Sequence, residues 1–227
     1  MIGITFALPS ESSDLVRRLR AVERCDNLLS GKIDDRDVTI LHTGVGAKNQ
    51  RLEFLLHKAR PKLVISSGFA GAVTEKLRVG DLVLAQNFSD PQLLASAERI
   101  LRDRQPRLAK LFTSTSIVDS ISERNEIARA ADAAAVDMET GAIVAVCNAH
   151  GVPLISLRAI SDTASQPFPA PPSVLFDSER QQTNYGRLLA YLLRHPGSIR
   201  PLFRFARQIA RVRAALTEAI VALVSEL

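Results

Sequence analysis

The sequence of 227 residues predicts an α/β sandwich built around a mostly parallel β-sheet. Short apolar runs bounded by turn residues alternate along the chain with segments of helical periodicity, the pattern of strands connected by helices. The length supplies enough material for a hydrophobic core in one large domain or two small ones. The sequence contains no internal repeat and no low-complexity segment.

Apolar runs and turn residues define the elements of the first half of the chain. IGITFAL predicts a buried strand, and a turn at Pro9 and Ser10 leads into a helix. Turn residues at 34–37 separate two apolar runs, which predicts a β-hairpin. The predicted elements are a strand at 2–8, a helix at 13–23, hairpin strands at 27–33 and 38–44, a helix at 49–59, a strand at 62–73 that runs into a glycine loop, and a strand at 79–86.

The second half continues the alternation of helices and strands. After Asp90 we expect a helix at about 93–104, a short segment at 111–118 and a helix at 122–130. A helix at 139–149, a turn at Gly151 and a strand at 153–160 follow. The tail, residues 187–227, is predicted to be helical.

Composition excludes several classes of protein. Hydrophobic residues make up 46% of the chain, and no apolar run approaches the roughly 20 residues that span a bilayer. The 2 cysteines, Cys25 and Cys147, are far apart and lack metal-ligand spacing, so we expect neither a disulfide nor a metal site. The first residues lack the basic region of a signal peptide. We therefore expect a cytoplasmic protein.

The most apolar region, residues 133–164, contains three carboxylates, Asp137, Glu139 and Asp162. Glu139 lies on the apolar face of its predicted helix rather than opposite it. Its neighbours on that face are Ala142, Ile143, Val146 and Cys147. A buried carboxylate needs partners or a shifted pKa. A helix start, where the dipole favours negative charge, also explains such acids, and this interpretation stays open for Asp137 in particular.

Four of the predicted strands are followed by loops that contain an acidic residue, glycines or hydroxyl side chains. Glu11 follows the first strand, and glycine-rich or polar loops follow three others, at 43–49, 67–73 and 161–164. Ligands of open α/β sheets bind beyond the carboxyl ends of the strands, so one ligand site is expected there. The loop GVGAKN lacks the third glycine of a dinucleotide site, and the chain has no GK[ST] of a P-loop. Taken singly, the glycines also fit simple tight turns.

The segments TGVGAKN, SSGFAGAVTEKLRVGDLVLA, AVDMETGAIVAVC and ISLRAISDTA together resemble the purine/uridine phosphorylase superfamily. The similarity covers residues 2–164 and is nearest to the 5′-methylthioadenosine/S-adenosylhomocysteine nucleosidases. The segment 86–113, which is shorter than in typical nucleosidases, and the basic helical tail also resemble hopanoid-associated phosphorylases. The resemblance implies a three-layer α/β/α sandwich with a mixed, mostly parallel central sheet. It also implies an enzyme that cleaves the N-ribosidic bond of an adenine nucleoside with a modified 5′ group, without cofactor or metal.

The resemblance implies a role for each of three carboxylates. Asp162 would protonate the leaving purine at N7, aided by Ser161. Glu139 would bind the ribose 2′- and 3′-hydroxyls beneath the developing cation. Glu11 would activate the attacking water. Asp162 donates a proton at neutral pH only if burial or a nearby carboxylate raises its pKa, and we expect apolar walls and Glu139 to do so.

Further substrate-binding positions follow from the same resemblance. They are Met138, which would pack against the sugar, and Asp137, Phe69, Ala70 and Gly71. Considered singly, Glu11 also fits a first-turn helix acid, Met138 a core side chain and Asp162 a strand-end cap. A non-catalytic nucleoside-binding module is therefore the alternative to an enzyme.

Two positions depart from the phosphorylases of this superfamily, which bind phosphate through arginines and a serine. Ser66 stands at an arginine position and Phe69 at the serine position. A phosphate dianion needs charge-assisted donors, so we expect water to be the nucleophile. Lys48 is the one nearby cation, and residues 116–118 lack the aromatic side chain that stacks on the base. A phosphate-dependent reaction, including one on adenosylhopane, is the alternative.

The basic tail supports more than one interpretation. We divide the chain into a catalytic domain at 1–185 and a helical tail at 186–227. An apolar stripe begins at Leu202, with Arg204, Arg207 and Arg211 elsewhere on the circumference. Such a helix contacts an anionic membrane surface at the inner face, or packs on its own domain or on a partner in a homodimer. Few aromatic residues accompany the charge, so we expect no nucleic-acid binding.

Overall fold

A ten-stranded mixed sheet forms the centre of the computed structural model, which describes residues 1–25, 28–47, 49–165, 197 and 199–227. The strands are β1 (Ile2–Phe6), β2 (Arg20–Cys25), β3 (Leu28–Ile33), β4 (Arg36–His42), β5 (Leu63–Ala72), β6 (Leu82–Ala85), β7 (Arg107–Ala109), β8 (Leu111–Thr113), β9 (Ala135–Asp137) and β10 (Leu154–Asp162). The described helices are α1 (Pro9–Val16), α2 (Asn49–Ala59), α3 (Pro91–Ile100), α4 (Ile121–Ala130), α5 (Thr140–Ala149) and α6 (Ile199–Glu226), with a 3₁₀ turn at Arg102–Arg104.

The order of the strands is β2-β3-β4-β1-β5-β10-β6-β7, with β9 beside the end of β5 and β8 beside β9. The central pairs β4–β1, β1–β5 and β5–β10 are parallel, while β2–β3, β3–β4, β6–β10 and β5–β9 are antiparallel. Strands β1 and β10 are buried along their whole length, as expected for strands covered by helices on both faces. The prediction of a mixed, mostly parallel sheet is confirmed.

Helices cover both faces of the sheet. Helices α1, α3 and α6 pack with β1, β5 and β10 around the larger core cluster, which includes Ile4, Ile65, Leu157 and Leu216. Helices α2 and α5 cover the opposite face through a second cluster, in which Leu55, Val64 and Ile143 meet. The molecule is therefore a three-layer α/β/α sandwich, as the resemblance implies.

Several predicted boundaries were wrong. Helix α1 spans Pro9–Val16 instead of the predicted 13–23, and residues 20–23 of the predicted helix lie in the edge strand β2, whose pairing with β3 overrides the helical pattern. The sequence did not predict strands β7 and β9, because each has three residues, too few to show an alternation of apolar and polar side chains. The predicted helix at 93–104 is divided into α3 and the 3₁₀ turn. The glycine segment at 68–71 lies within β5 rather than in a loop.

The last helix has two different halves. Its C-terminal half belongs to the hydrophobic core, where the buried residues are Val212, Leu216, Ala219, Ile220, Leu223 and Val224. Its N-terminal half is largely exposed, and Phe203 has 63% of its surface accessible. Within the described residues, no helix combines the length and apolar character needed to cross a membrane. The boundary that we predicted at 185/186, and the tail before residue 197, lie outside the described residues.

Burial of the C-terminal half of α6 predicts that this segment stabilises the whole domain. Replacing Ile220, which is fully buried, with alanine should lower the free energy of unfolding by about 2–5 kcal/mol, because it leaves a cavity in the core. The same change at exposed Phe203 should alter it by less than about 0.5 kcal/mol. Denaturant unfolding followed by circular dichroism measures both. Equal effects of the two substitutions would contradict this packing.

Candidate active site

A cavity of about 270 Å³ opens at the carboxyl ends of β1, β5, β9 and β10. The nine residues that the sequence singles out all line it: Glu11, Phe69, Ala70, Gly71, Asp137, Met138, Glu139, Ser161 and Asp162. The remaining wall is mostly apolar, with Leu8, Val45, Ile117 and Val118 among its side chains. The structure thus brings together residues from distant parts of the chain at the edge of the sheet where ligands bind in α/β proteins.

Glu11 is held in the first turn of α1 by two backbone groups. Its carboxylate accepts hydrogen bonds from the N–H groups of Leu8 at 2.9 Å and Phe69 at 3.1 Å. Burial raises the pKa of Glu11 above its ordinary 4.5, although these hydrogen bonds act in the opposite direction. Gly68 makes the approach possible, since its φ is +149° and a Cβ there would lie 3.1 Å from Glu11 Oε1.

Glu139 occupies the N-cap position of α5, but its side chain does not cap that helix. The carboxylate instead accepts a hydrogen bond of 3.1 Å from the N–H of Gly46, in the loop after β4. Burial, followed by the charges of Asp137 and Glu11, raises the pKa of Glu139 from 4.5 to about 7. The ionised carboxylates of Asp137 and Glu11 repel that of Glu139, which favours the protonated form of Glu139 in this apolar pocket.

Asp137 is engaged in a buried network behind the cavity wall. Arg158 Nε donates to its carboxylate at 2.9 Å, and Thr113 Oγ1 donates at 2.9 Å. Thr140 donates through both its N–H, at 3.1 Å, and its hydroxyl. The bond from the first turn of α5 agrees with the interpretation of Asp137 as a helix-opening acid. Although Asp137 lines the cavity, these hydrogen bonds occupy its carboxylate oxygens. The carboxylate thereby holds the N-terminus of α5 in place.

Asp162, at the end of β10, forms a buried ion pair that we did not predict. Its carboxylate contacts Arg124 of α4 and accepts a hydrogen bond of 2.7 Å from Ser161 Oγ. Gly71 on the adjacent strand leaves the necessary room, since a Cβ there would lie 3.1 Å from Asp162 Oδ2 and 3.2 Å from Arg124 Nη1. The charged group in contact with Asp162 is therefore a guanidinium, a neighbour that the sequence did not predict.

Arg124 is the main residue of this site that the sequence analysis missed. The side chain is 98% buried and also donates to the carbonyls of Ala72 and Val118. A signal for it exists in the sequence. Arg124 lies three and four positions before Ile127 and Ala128, on the face of α4 that packs against the core. A charged residue on an apolar helix face indicates a buried partner.

The side chains that line the cavity determine whether it can bind a phosphate dianion as the nucleophile in place of water. Ser66 is fully buried, and its hydroxyl accepts a hydrogen bond of 3.0 Å from Arg158. Phe69 forms part of the wall. Among the described residues that line the cavity, Arg124 is the one guanidinium, and it is paired with Asp162. Lys48 lies outside the described residues. In the described part of the chain, no group of three metal-binding side chains is present.

The sandwich and the acidic cavity at its strand ends define a protein of the phosphorylase fold. The sequence model of the phosphorylase superfamily matches residues 1–96 and 86–194, so the chain belongs to that superfamily.

Similar proteins include a family of bacterial nucleosidases. The 5′-methylthioadenosine/S-adenosylhomocysteine nucleosidase of Staphylococcus haemolyticus is 28% identical over 199 residues, which cover 73% of this chain and 87% of the relative. The crystal structure of the corresponding Neisseria meningitidis enzyme, in complex with methylthio-immucillin-A, matches 100% of this chain and 99% of its own, with a TM-score of 0.75 at 16% identity. Futalosine hydrolase of Helicobacter pylori matches 100% and 97%, with a TM-score of 0.71 at 16% identity. At these identities the structures establish the shared fold.

The buried ion pair predicts a large loss of stability when one of its two partners is removed alone. Arg124→Gln should lower the free energy of unfolding at pH 7 by about 3–5 kcal/mol, because it leaves the carboxylate of Asp162 buried without a partner. The double variant Arg124→Gln/Asp162→Asn should recover most of that loss. Denaturant unfolding of the wild type, both single variants and the double variant gives the coupling. A double variant no more stable than Arg124→Gln would contradict the ion pair.

Proposed function

We propose that this protein hydrolyses the N-ribosidic bond of an adenine nucleoside that has a modified 5′ group. One observation carries the proposal: Glu11, Glu139 and Asp162, from three separate segments, line a single cavity. A cavity of about 270 Å³ suits a small molecule such as a nucleoside better than a polymer. The names of the relatives support this substrate class, since they are nucleosidases of methylthioadenosine and adenosylhomocysteine.

Glu139 is the group that we assign to the ribose. Cleavage of the bond to C1′ leaves positive charge on the sugar, and a carboxylate beneath it stabilises that charge more in the transition state than in the ground state. Its raised pKa, about 7, means that the ionised form is costly in the ligand-free pocket. A ribosyl cation removes that cost, which makes the carboxylate most favourable at the moment when the bond breaks.

Asp162 and Ser161 are the groups that we assign to the leaving base. The hydroxyl of Ser161 donates to Asp162 Oδ1, while Arg124 contacts Oδ2. In the proposed step, Asp162 receives a proton from solvent when the nucleoside binds and transfers that proton to the purine nitrogen as the bond to C1′ breaks. The departing adenine gains one proton, and C1′ gains the oxygen of water.

Glu11 is the base that we assign to the attacking water. Its two backbone hydrogen bonds fix the carboxylate at the cavity wall. Burial raises its pKa, which makes it a better proton acceptor than an exposed glutamate. Phe69 adds no donor for a phosphate dianion, and the guanidinium of Arg124 is already paired. Water is therefore the nucleophile in this proposal.

The partners beyond the substrate are also proposals. We propose a homodimer, and contact between the exposed N-terminal half of α6 and an anionic membrane surface at the inner face. The second rests on three exposed arginines, Arg204, Arg207 and Arg211, and on the 63% exposure of Phe203. The buried C-terminal half of α6 fixes this segment to the catalytic domain.

The proposed reaction predicts free adenine and a free sugar as products. Methylthioadenosine, adenosylhomocysteine and adenosine analogues with apolar 5′ groups are the substrates to test. Turnover should be the same with and without added phosphate, and Asp162→Asn should lower it by about 10²–10⁴-fold as general acid help is lost. Chromatography of the products measures both effects. A strict need for phosphate with a ribose 1-phosphate product would move the protein to the phosphorylases, and absence of turnover on every substrate would favour a binding module.

The raised pKa of Glu139 predicts a pH dependence. Because the ionised form is required, kcat/KM should fall as the pH drops below about 7. Glu139→Gln should lower kcat by about 10²–10³-fold and move the remaining acidic limb to lower pH, since Glu11 loses a repulsive neighbour. As a control, Met138→Leu at the neighbouring position should show the same fall of kcat/KM at acidic pH as the wild type. An unchanged limb in Glu139→Gln would reject this assignment.

The same pKa predicts an effect on stability. A carboxyl whose folded-state pKa exceeds its unfolded value binds more protons in the native state, so its contribution to stability is lost as the pH rises from 4.5 to about 7. Glu139→Gln should therefore raise the free energy of unfolding at pH 8 by on the order of 1–3 kcal/mol, and change it little at pH 4. Denaturant unfolding at both values measures this. A variant less stable at pH 8 would indicate that Glu139 supports the fold.

A further inference from the structure

A second, larger cleft lies on the other side of the strand end that carries Asp162. Its volume is about 1200 Å³, and its walls are the segment 73–80 between β5 and β6, the start of α4, residues 163–165 and the N-terminal half of α6. Gln208 of α6 donates a hydrogen bond of 3.2 Å to the carbonyl of Ser161, which connects this wall to the reaction cavity. The proposed reaction assigns no role to this cleft.

Positive charge is concentrated at this cleft. Four arginines line it, Arg78 on one wall and Arg204, Arg207 and Arg211 on the other, against a single acid, Glu75. The three arginines of α6 are spaced i, i+3 and i+7, so they form one row along the helix. In the part of the chain that the structure describes, none of the four forms a salt bridge, whereas Arg18, Arg124, Arg158 and Arg213 do.

The surroundings of the arginines favour a bound anion. Hydrogen-bonding side chains also line the cleft, namely Asn125, Thr163 and, on the wall formed by α6, Gln208. Phe203 lies beside the row, with its ring centre 5.6 Å from the guanidinium of Arg207, and restricts that side chain. A cleft lined by charge of one sign focuses its field and raises the local concentration of the opposite charge. Guanidinium groups bind phosphate through paired N–H donors, which makes phosphate the best-matched anion.

We propose that this arginine cleft binds the phosphate group of a ligand, either a soluble phosphate compound or the headgroup of an anionic phospholipid. The site is separate from the reaction cavity, and its test does not depend on turnover. Failure of the proposed reaction and failure of this site are therefore distinguishable. Binding should weaken as the salt concentration rises, because the contacts are between exposed charges.

The test compares two charge-matched double variants. Arg204→Ser/Arg207→Ser removes two guanidinium groups from the cleft, and Arg102→Ser/Arg104→Ser removes two exposed arginines outside it. One probe is inorganic pyrophosphate, measured by titration calorimetry. The other is vesicles of phosphatidylcholine with or without phosphatidylglycerol, measured by co-sedimentation. The variant Arg204→Ser/Arg207→Ser should bind the probe about tenfold or more weakly than the wild type. The affinity of the control variant Arg102→Ser/Arg104→Ser should change less than about threefold.

The two probes separate the sources of phosphate. Binding of pyrophosphate supports a soluble ligand, and binding only to vesicles that contain phosphatidylglycerol supports a lipid headgroup. Absence of binding to either probe, or equal losses in the two double variants, would overturn the proposal. If circular dichroism indicates that the variant of α6 is unfolded, Arg78→Ser on the opposite wall provides the same comparison, with an expected loss of about tenfold.

Discussion

The parallel pairing of β5 with β10 is the constraint on which the site depends. Its register places Ala70 beside Ile160 and Gly71 beside Asp162, with an irregularity at Ser161 between them. Such an irregularity re-aims a side chain at the end of a strand. Glycine at 71 then allows the carboxylate and the guanidinium of Arg124 to lie against the neighbouring strand. A side chain at that position would displace both charges, so the geometry of Asp162 and Arg124 follows from strand register.

The buried acids of this pocket differ in whether an arginine compensates their charge. Asp137 and Asp162 each have a buried arginine, Arg158 and Arg124, and their charges are compensated within the protein. Glu139 accepts a hydrogen bond from a backbone N–H and forms no salt bridge among the described residues, and burial together with the charges of Asp137 and Glu11 raises its pKa. The two paired acids are thus held in place by ionic contacts within the protein. The buried carboxyl of Glu139 is instead destabilised in its ionised form, which is the kind of perturbation found at reactive groups.

The sequence predicted the layers of the fold and the residues of the cavity more accurately than their local partners. Glu139 was identifiable because it lies on an apolar helix face, and the same pattern at Arg124 went unused because arginine is common on exposed surfaces. The hydrogen bond of Ser161 to Asp162 agrees with the predicted pairing of these two residues, whereas the contact with Arg124 was not predicted, since a contact between α4 and β10 depends on tertiary packing. Strand β2 was missed for a related reason, because its pairing with β3 outweighs a helical periodicity that continues past Val16.

The division of α6 has a consequence for how the chain folds during synthesis. One face of the central strands is covered by residues 212–224, which are made after every strand of the sheet. Until those residues leave the ribosome, the apolar side chains of β1 and β10 on that face have no complete cover. The sheet therefore exposes apolar surface from the synthesis of β10 until the end of the chain is made, and final closure of the core is a late event between segments far apart in sequence.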